Sequence, residues 1–189
     1  MKREHKYRGK RIDNGQWIVG GLVISSRWRY YIVIDNIGIH DDFDHVNFMY
    51  VEIDPGTVGE YTGMKDMNGK EICAGDIIEC FYMNLSYQQK GNYPPPNIEV
   101  EEYEVVRNVD VVKFEYGSFN FCGLPIGFDK LTGVECEPDY NTLSVRLKSI
   151  WDNNIDNIRE EYPYLTVENF YNYNIIGNIH DNPELLETE

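Results

Sequence analysis

Few side chains in this sequence could ligate a metal or carry acid–base or nucleophilic chemistry: it holds four histidines and four cysteines. The densest set lies in residues 35–45, DNIGIHDDFDH, where His40 and His45 bracket Asp41, Asp42 and Asp44. Imidazole and carboxylate suit zinc, manganese or iron, which makes His40, Asp42 and His45 the candidate ligands of a metal-dependent enzyme. Their spacing matches no established site, however, and Asp-rich surface turns are common, so no metal is expected. Cys80 with His180 would form a thiol–imidazole pair if the fold joined them. Cys73, Cys80, Cys122 and Cys136 contain no C-x-x-C pair, which excludes a zinc ribbon or a thioredoxin-like motif. The glycine-rich stretch from Thr57 to Cys80, TVGEYTGMKDMNGKEICAGDIIEC, is a candidate ligand cradle. It lacks the Gly-Lys-Ser/Thr and the following helix that a phosphate loop needs. No catalytic residue and no cofactor are assigned.

Charge narrows the partners. The formal net charge is −15, yet residues 1–11 (MKREHKYRGKR) carry six Lys/Arg against one Glu, leaving −20 on the remainder. Phosphate contacts need clustered Lys and Arg, so direct nucleic-acid binding by the body is disfavoured. An acidic face that meets a basic protein, or imitates nucleic acid, is the sharper alternative to a solvated surface. No apolar leader follows the basic start, and no apolar run approaches the roughly 18 residues a membrane span requires. A cytoplasmic protein with reduced thiols is expected.

The elements that must position any site read mostly as strands. Asp13-Asn14-Gly15 predicts a tight type I′ hairpin turn between strands Tyr7–Ile12 and Trp17–Ile24. The central Gly20-Gly21 suggests a bulge or a close backbone approach. Strands are also predicted over Trp28–Ile34, Val46–Ile53 and Phe119–Cys122, and Val100–Phe114 is long enough for an extended strand or a bent pair. Asn68-Gly69 marks another turn, and Gly75-Asp76-Ile77-Ile78 starts a half-buried strand to Tyr82, with Asp76 as a turn cap. A glycine–aspartate strand start of this kind is frequent in small SH3-like barrels. Residues 83–99, with Pro94-Pro95-Pro96, read as an inserted loop stiffened by extended proline structure. Residues 123–141 read as an irregular connection. Leu143, Leu147, Ile150, Trp151, Ile155 and Ile158 predict an amphipathic helix over 142–160, broken near Asp152-Asn153-Asn154. A further helical turn near Val167–Tyr171, a final strand and a Pro183-started cap complete the chain.

Two separated motifs then converge. The first is Asp54-Pro55-Gly56-Thr57-Val58-Gly59-Glu60-Tyr61-Thr62-Gly63-Met64-Lys65-Asp66-Met67-Asn68-Gly69-Lys70-Glu71-Ile72, continuing through Gly75-Asp76-Ile77-Ile78. The second is Ile175-Ile176-Gly177-Asn178-Ile179-His180-Asp181-Asn182-Pro183-Glu184-Leu185-Leu186. With these, and with Tyr7-Arg8-Gly9-Lys10 and Asn14–Gly20 at the start, the chain resembles the YopX family of phage and prophage proteins from about residue 7 to residue 186. Residues 83–104 and 123–165 depart from the family pattern and read as insertions.

The resemblance implies a mainly β (β-rich α+β) fold: a small SH3-like barrel element with additional strands, long loops and one or two helices near the C-terminus. It implies one domain over 1–189, with an N-terminal β lobe 1–56 and a barrel-containing lobe 57–189 as a subdivision. It implies no enzyme activity. The expected function is that of a phage-encoded accessory protein of unknown role, a non-catalytic protein-interaction module for a host or phage protein. The alternative is an acidic regulator of a nucleic-acid-handling protein. Exposed aromatic strands make a homo-oligomer a further expectation. Loops on a rigid scaffold are the usual material of binding sites, which singles out Tyr61, Thr62, Lys65 and Asp66, with Asn178, His180 and Asn182 of the second motif. The two motifs are expected to meet in space.

Overall fold

A computed structural model describes residues 5–36, 47–90, 97–122, 124–125, 140–166, 170 and 172–187. The metal candidates His40, Asp42 and His45, the triple proline 94–96 and the helical turn expected near 167–171 (apart from Phe170) lie outside the described residues, as does most of 123–141. The chain divides into two compact units, each described by itself. Unit 1 comprises Met1–Ile78, Asp110–Ile126 and Ile175–Glu189; unit 2 comprises Glu79–Val109 and Gly127–Asn174.

In unit 1, β1 (Tyr7–Lys10), β2 (Trp17–Ile24), β3 (Tyr30–Asn36), β4 (Asn47–Ile53), β5 (Gly59–Lys65) and β6 (Glu71–Cys73) form one antiparallel sheet in the order β4-β3-β2-β1-β5-β6. Because β1 pairs with β5, the sheet continues across residues 56 and 57. Among the described residues the expected SH3-like barrel is not confirmed: the order ends in β4 and β6, and the sheet is not closed. A single bridge between Arg11 and Ile53 curls the end of β4 back toward β1, too short a ladder to seal a barrel. Register places Ile32 opposite Leu22 and Val51, and the buried Ile32, Val51 and Ile53 mark the inner face. The close approach suggested for the β2 glycines holds at one of them. A Cβ on Gly20 would lie 2.2 Å from the Val33 carbonyl oxygen, whereas one on Gly21 would meet nothing within 4 Å among the described residues.

The turns refine the sequence reading. The β1–β2 hairpin exists, but its loop spans residues 12–15, closed by Arg11 N–H donating to Gln16 O at 2.9 Å. Gly15 alone in that loop has positive φ, so the expected type I′ turn is replaced by a longer loop with one left-handed residue. Trp28, expected to start a strand, sits in the β2–β3 turn at φ 58°. That turn repeats the geometry of the one at Asn68-Gly69. Ser25 N–H donates to Arg29 O (2.9 Å) and Trp28 N–H to Ser25 O (3.0 Å); likewise Asp66 N–H donates to Lys70 O (2.8 Å) and Gly69 N–H to Asp66 O (3.0 Å). Trp28 therefore occupies the left-handed position that Gly69 fills, at φ 80°, in the second turn.

Three more strands of unit 1, β9 (Lys113–Glu115), β10 (Ser118–Phe121) and β11 (Leu124–Pro125), form a small antiparallel sheet. Phe119 and Phe121 are buried, as their alternation implies. A third sheet has the order β12-β7-β8, from β7 (Asp76–Lys90), β8 (Asn97–Val111) and β12 (Tyr173–Asn178). Each of these strands passes from one unit to the other along the chain. The loop expected over 83–99 is therefore strand as far as Lys90 and again from Asn97. Backbone pairing with a long partner outweighs the weak β propensity of Asn, Ser and Gln there. The start of β7 is not half-buried: Ile77, Ile78, Glu79, Cys80 and Phe81 are all buried.

Unit 2 packs α1 (Tyr140–Glu161) through Trp151 and Ile158 into a cluster with Phe81, Met83, Leu165 and Phe170. The Trp151–Phe170 and Phe81–Tyr162 rings meet edge to face at 5.9 and 5.4 Å between centroids. The helix is unbroken at 152–154, where Asn154 donates to the Ile150 carbonyl oxygen at 2.8 Å. Such a bond back along the helix absorbs the side chain that the sequence offered as a breaker. The buried Glu79 is held by Arg107 Nε at 2.5 Å and by the Tyr164 hydroxyl at 3.2 Å.

Candidate functional site

The two motifs meet in unit 1. Asp66 Oδ2 accepts from Ile175 N–H at 3.3 Å, and Asn178 Nδ2 donates to the Gly75 carbonyl oxygen at 2.7 Å. Where they join the first hairpin they form a cleft of about 430 Å³, whose walls include Arg8, Trp17, Val19, Lys70, Asp76 and Asn182.

Pairing in the β1–β2 ladder dictates one wall. Arg8 stands opposite Val19 and Lys10 opposite Trp17, so all four side chains share one face of the pleat. Arg8 reaches the buried Asp76, with Nη1 at 2.6 Å from Oδ1, and the two side chains are 11% and 1% exposed. Asp76 Oδ2 accepts from Cys73 N–H at 2.8 Å, which confirms the expected turn cap. The guanidinium lies 4.9 Å from the centre of the Trp17 ring, within cation–π reach. Gly59 makes room for it, since a Cβ there would lie 2.4 Å from the Ala74 carbonyl oxygen and 3.4 Å from Arg8 Nε. Arg8 Nε itself is buried with no hydrogen-bond partner among the described residues.

On the second motif, Asp181 takes Lys10 Nζ on Oδ1 and the Trp17 indole N–H on Oδ2, the latter at 2.7 Å. These hydrogen bonds, that from Lys10 first, hold the Asp181 carboxyl below its ordinary range. The His180 ring lies 6.0 Å from the Trp17 ring. Desolvation first, and then the charges of Lys10 and Arg8, lower its pKa below the usual 6.5. Burial raises the Cys73 thiol to about 11, which makes it a poor nucleophile at neutral pH. Glu71 is held bidentately by Lys6 Nζ at 2.7 and 2.9 Å.

Of the residues singled out from sequence, Asn182 and Asn178 line the cleft. Asp66 is buried and caps its turn, accepting Asn68 and Lys70 N–H at 2.9 and 2.8 Å on Oδ1. Thr62 donates to the Ile72 carbonyl oxygen at 2.9 Å, Tyr61 is buried and Lys65 is exposed on β5. Cys80 is buried in unit 2, while His180 is exposed on unit 1. Arg8, Trp17, Lys70, Asp76 and Asp181 were not marked as site residues by the sequence reading. The signal available for two of them was the Arg8/Lys10 alternation opposite Trp17 across a predicted hairpin. Val19 continues outward onto an exposed apolar face shared with Val23, Tyr50 and Phe48. Unit 2 carries a separate groove of about 480 Å³ lined by Tyr103, Glu104, Val105, Asn157, Ile158, Glu161 and Tyr162. Among the described residues no group of three or more His, Cys, Asp or Glu is placed to hold a metal ion, and no helix is long and apolar enough to cross a membrane.

A mainly β chain with a cleft walled by Trp17, Val19 and ion-paired polar side chains is the class this geometry defines. The family model described as YopX protein matches residues 6–143, well over half of the chain, and the chain belongs to the YopX family. The matched region contains the hairpin and first-motif walls of the cleft and ends before the second motif at 175–186. No curated protein and no solved structure matches it.

Proposed function

We propose that this protein is a phage- or prophage-encoded accessory protein that acts in the bacterial cytoplasm as a non-catalytic binding module, docking a host or phage protein through the unit 1 cleft. The observation that supports this reading is the convergence on one open cleft of the hairpin, the glycine-rich motif and the C-terminal motif. An exposed apolar margin at Val19, Val23, Phe48 and Tyr50 adds to it. The carboxylates on the cleft wall are tied into ion pairs and backbone hydrogen bonds, an arrangement that suits a rigid receptor better than proton transfer.

The test is affinity capture from the native host, with and without phage induction, using the wild-type chain and the variants Lys70→Glu and Trp17→Ala. A protein retained by the wild type and lost by both variants is the expected result. Equal capture by all three would remove the cleft from the function. The charge of −20 beyond residue 11 favours a second reading, an acidic regulator of a basic nucleic-acid-handling protein. Capture that persists in high salt would exclude that reading.

A further inference from the structure

We infer that the unit 1 cleft is an acceptor-selective site that takes the carboxylate of an acidic, apolar-flanked peptide segment; this rests on the docking reading above. The argument is a count of uncommitted hydrogen-bonding groups. Three carboxylates line the cleft, Glu71, Asp76 and Asp181, and every one of their six oxygens is engaged. Lys6 takes both oxygens of Glu71. Arg8 and Cys73 N–H take the two of Asp76. Lys10 and Trp17 take the two of Asp181.

Among the described residues the uncommitted charged groups on the wall are donors, joined by one carboxamide that can donate or accept. Lys70 lines the cleft and is exposed, and its ammonium has no partner among the described residues. The Asn182 carboxamide, also on the wall, makes no capping hydrogen bond in its own turn. Arg8 has five N–H donors; Nη1 meets Asp76, and Nη2 makes only a long contact of 3.4 Å to the Ala74 carbonyl oxygen. A cationic ligand would meet carboxylates whose charge is already balanced by Lys6, Arg8 or Lys10, whereas an anionic one meets the uncommitted Lys70 ammonium. The His180 pKa is lowered first by desolvation, and the charges of Lys10 and Arg8 add to that.

The overall charge of −15 does not forbid this, because exposed charges beyond a Debye length of about 8 Å are largely screened at physiological salt. It does select a ligand with one or two charges over a polyanion. Trp17 and Val19 on the same wall supply an apolar surface for the side chains that flank the carboxylate, which favours a peptide over a bare anion.

The test uses the full chain, isotopically labelled, with its amide and indole NMR signals assigned. Three probes are titrated: acetyl-Leu-Glu-Leu-amide, acetyl-Leu-Lys-Leu-amide and inorganic phosphate. The expected result is shifts confined to the Trp17 indole N–H, the Asn182 side-chain amide and Gly177 with the Glu peptide, weaker with phosphate and absent with the Lys peptide. Lys70→Gln, an exposed change that leaves folding intact, should weaken the Glu peptide about tenfold, the loss of one charge-assisted hydrogen bond. Equal or better binding of the Lys peptide or of phosphate overturns the assignment, and so do shifts elsewhere or an unaffected Lys70→Gln. If no probe moves these signals while host capture still depends on Trp17, the ligand class fails and the docking reading stands. If capture is also indifferent to Trp17, both fail.

Discussion

Replacing Arg8 by Met tests the core of the cleft directly. The pair is close, at 2.6 Å, and Asp76 is 1% exposed. With an effective dielectric of about 20, two unit charges at that distance attract by roughly 6 kcal/mol. Desolvation of the two ions costs several kcal/mol each, so the intact pair is near balance. Removing Arg8 leaves the Asp76 carboxylate buried without its counter-ion, and the loss expected is about 3–5 kcal/mol. Against a total stability of about 5–15 kcal/mol, that is a large fraction. Asp76→Asn keeps an oxygen for the Cys73 amide and should cost less, about 2–3 kcal/mol. Arg8→Met combined with Asp76→Asn should then be more stable than the two separate losses add up to, by at least about 1.5 kcal/mol. Urea unfolding at neutral pH, followed by far-UV circular dichroism and tryptophan fluorescence, measures all four proteins. A cost below about 1 kcal/mol for Arg8→Met, or additive losses in the cycle, would refute the view that this ion pair holds the hairpin to the start of β7.

Three other outcomes follow from the same geometry. The His180 imidazole should titrate below the usual 6.5 by NMR, and Lys10→Gln should move its midpoint up. Because the folded state resists this proton, the protein loses stability as pH falls through the unfolded-state value toward the folded one, and His180→Gln should remove that slope. Cys73, raised to about 11, is thiolate in roughly one molecule in a thousand at pH 8. Mass-spectrometric mapping after brief iodoacetamide treatment of the native protein should find Cys73 unmodified and the exposed Cys122 labelled. Trp28 is 77% exposed at positive φ, so relief of strain and loss of contact nearly offset. Trp28→Gly should change stability by no more than about 1 kcal/mol, whereas Trp151→Ala, 5% exposed, should cost about 3–5 kcal/mol. A large loss in urea unfolding of Trp28→Gly would show that the tryptophan is packed in a way its exposure does not reveal.

Local chemistry in the sequence determined much of the architecture. Asn68-Gly69 specified its turn because glycine takes the left-handed φ that the turn requires. The helix over 140–161 followed from its apolar spacing, and Pro183 started the final turn as a fixed-φ residue should. The same local logic misjudged Asn14-Gly15, residues 83–90 and 97–99, and Asp152-Asn153-Asn154, where strand pairing or side-chain hydrogen bonding set the backbone instead. The family was legible because its motif is made of such turn residues, and turn residues are set locally.

The cleft was not legible in that way. Lys10 and Asp181 are 171 positions apart, and Trp17 and Asp181 are 164 apart. Nothing in the spacing of Arg8 shows that its partner is Asp76, and nothing in Lys70 shows that its ammonium lacks a partner among the described residues. Strand register decides which side chains share a face, and a slip of one residue would reverse every one of them. Sequence alone determined the Asn68-Gly69 turn, the apolar face of the helix and the family; tertiary structure decided which carboxylates are already paired, and thus which donors remain for a ligand.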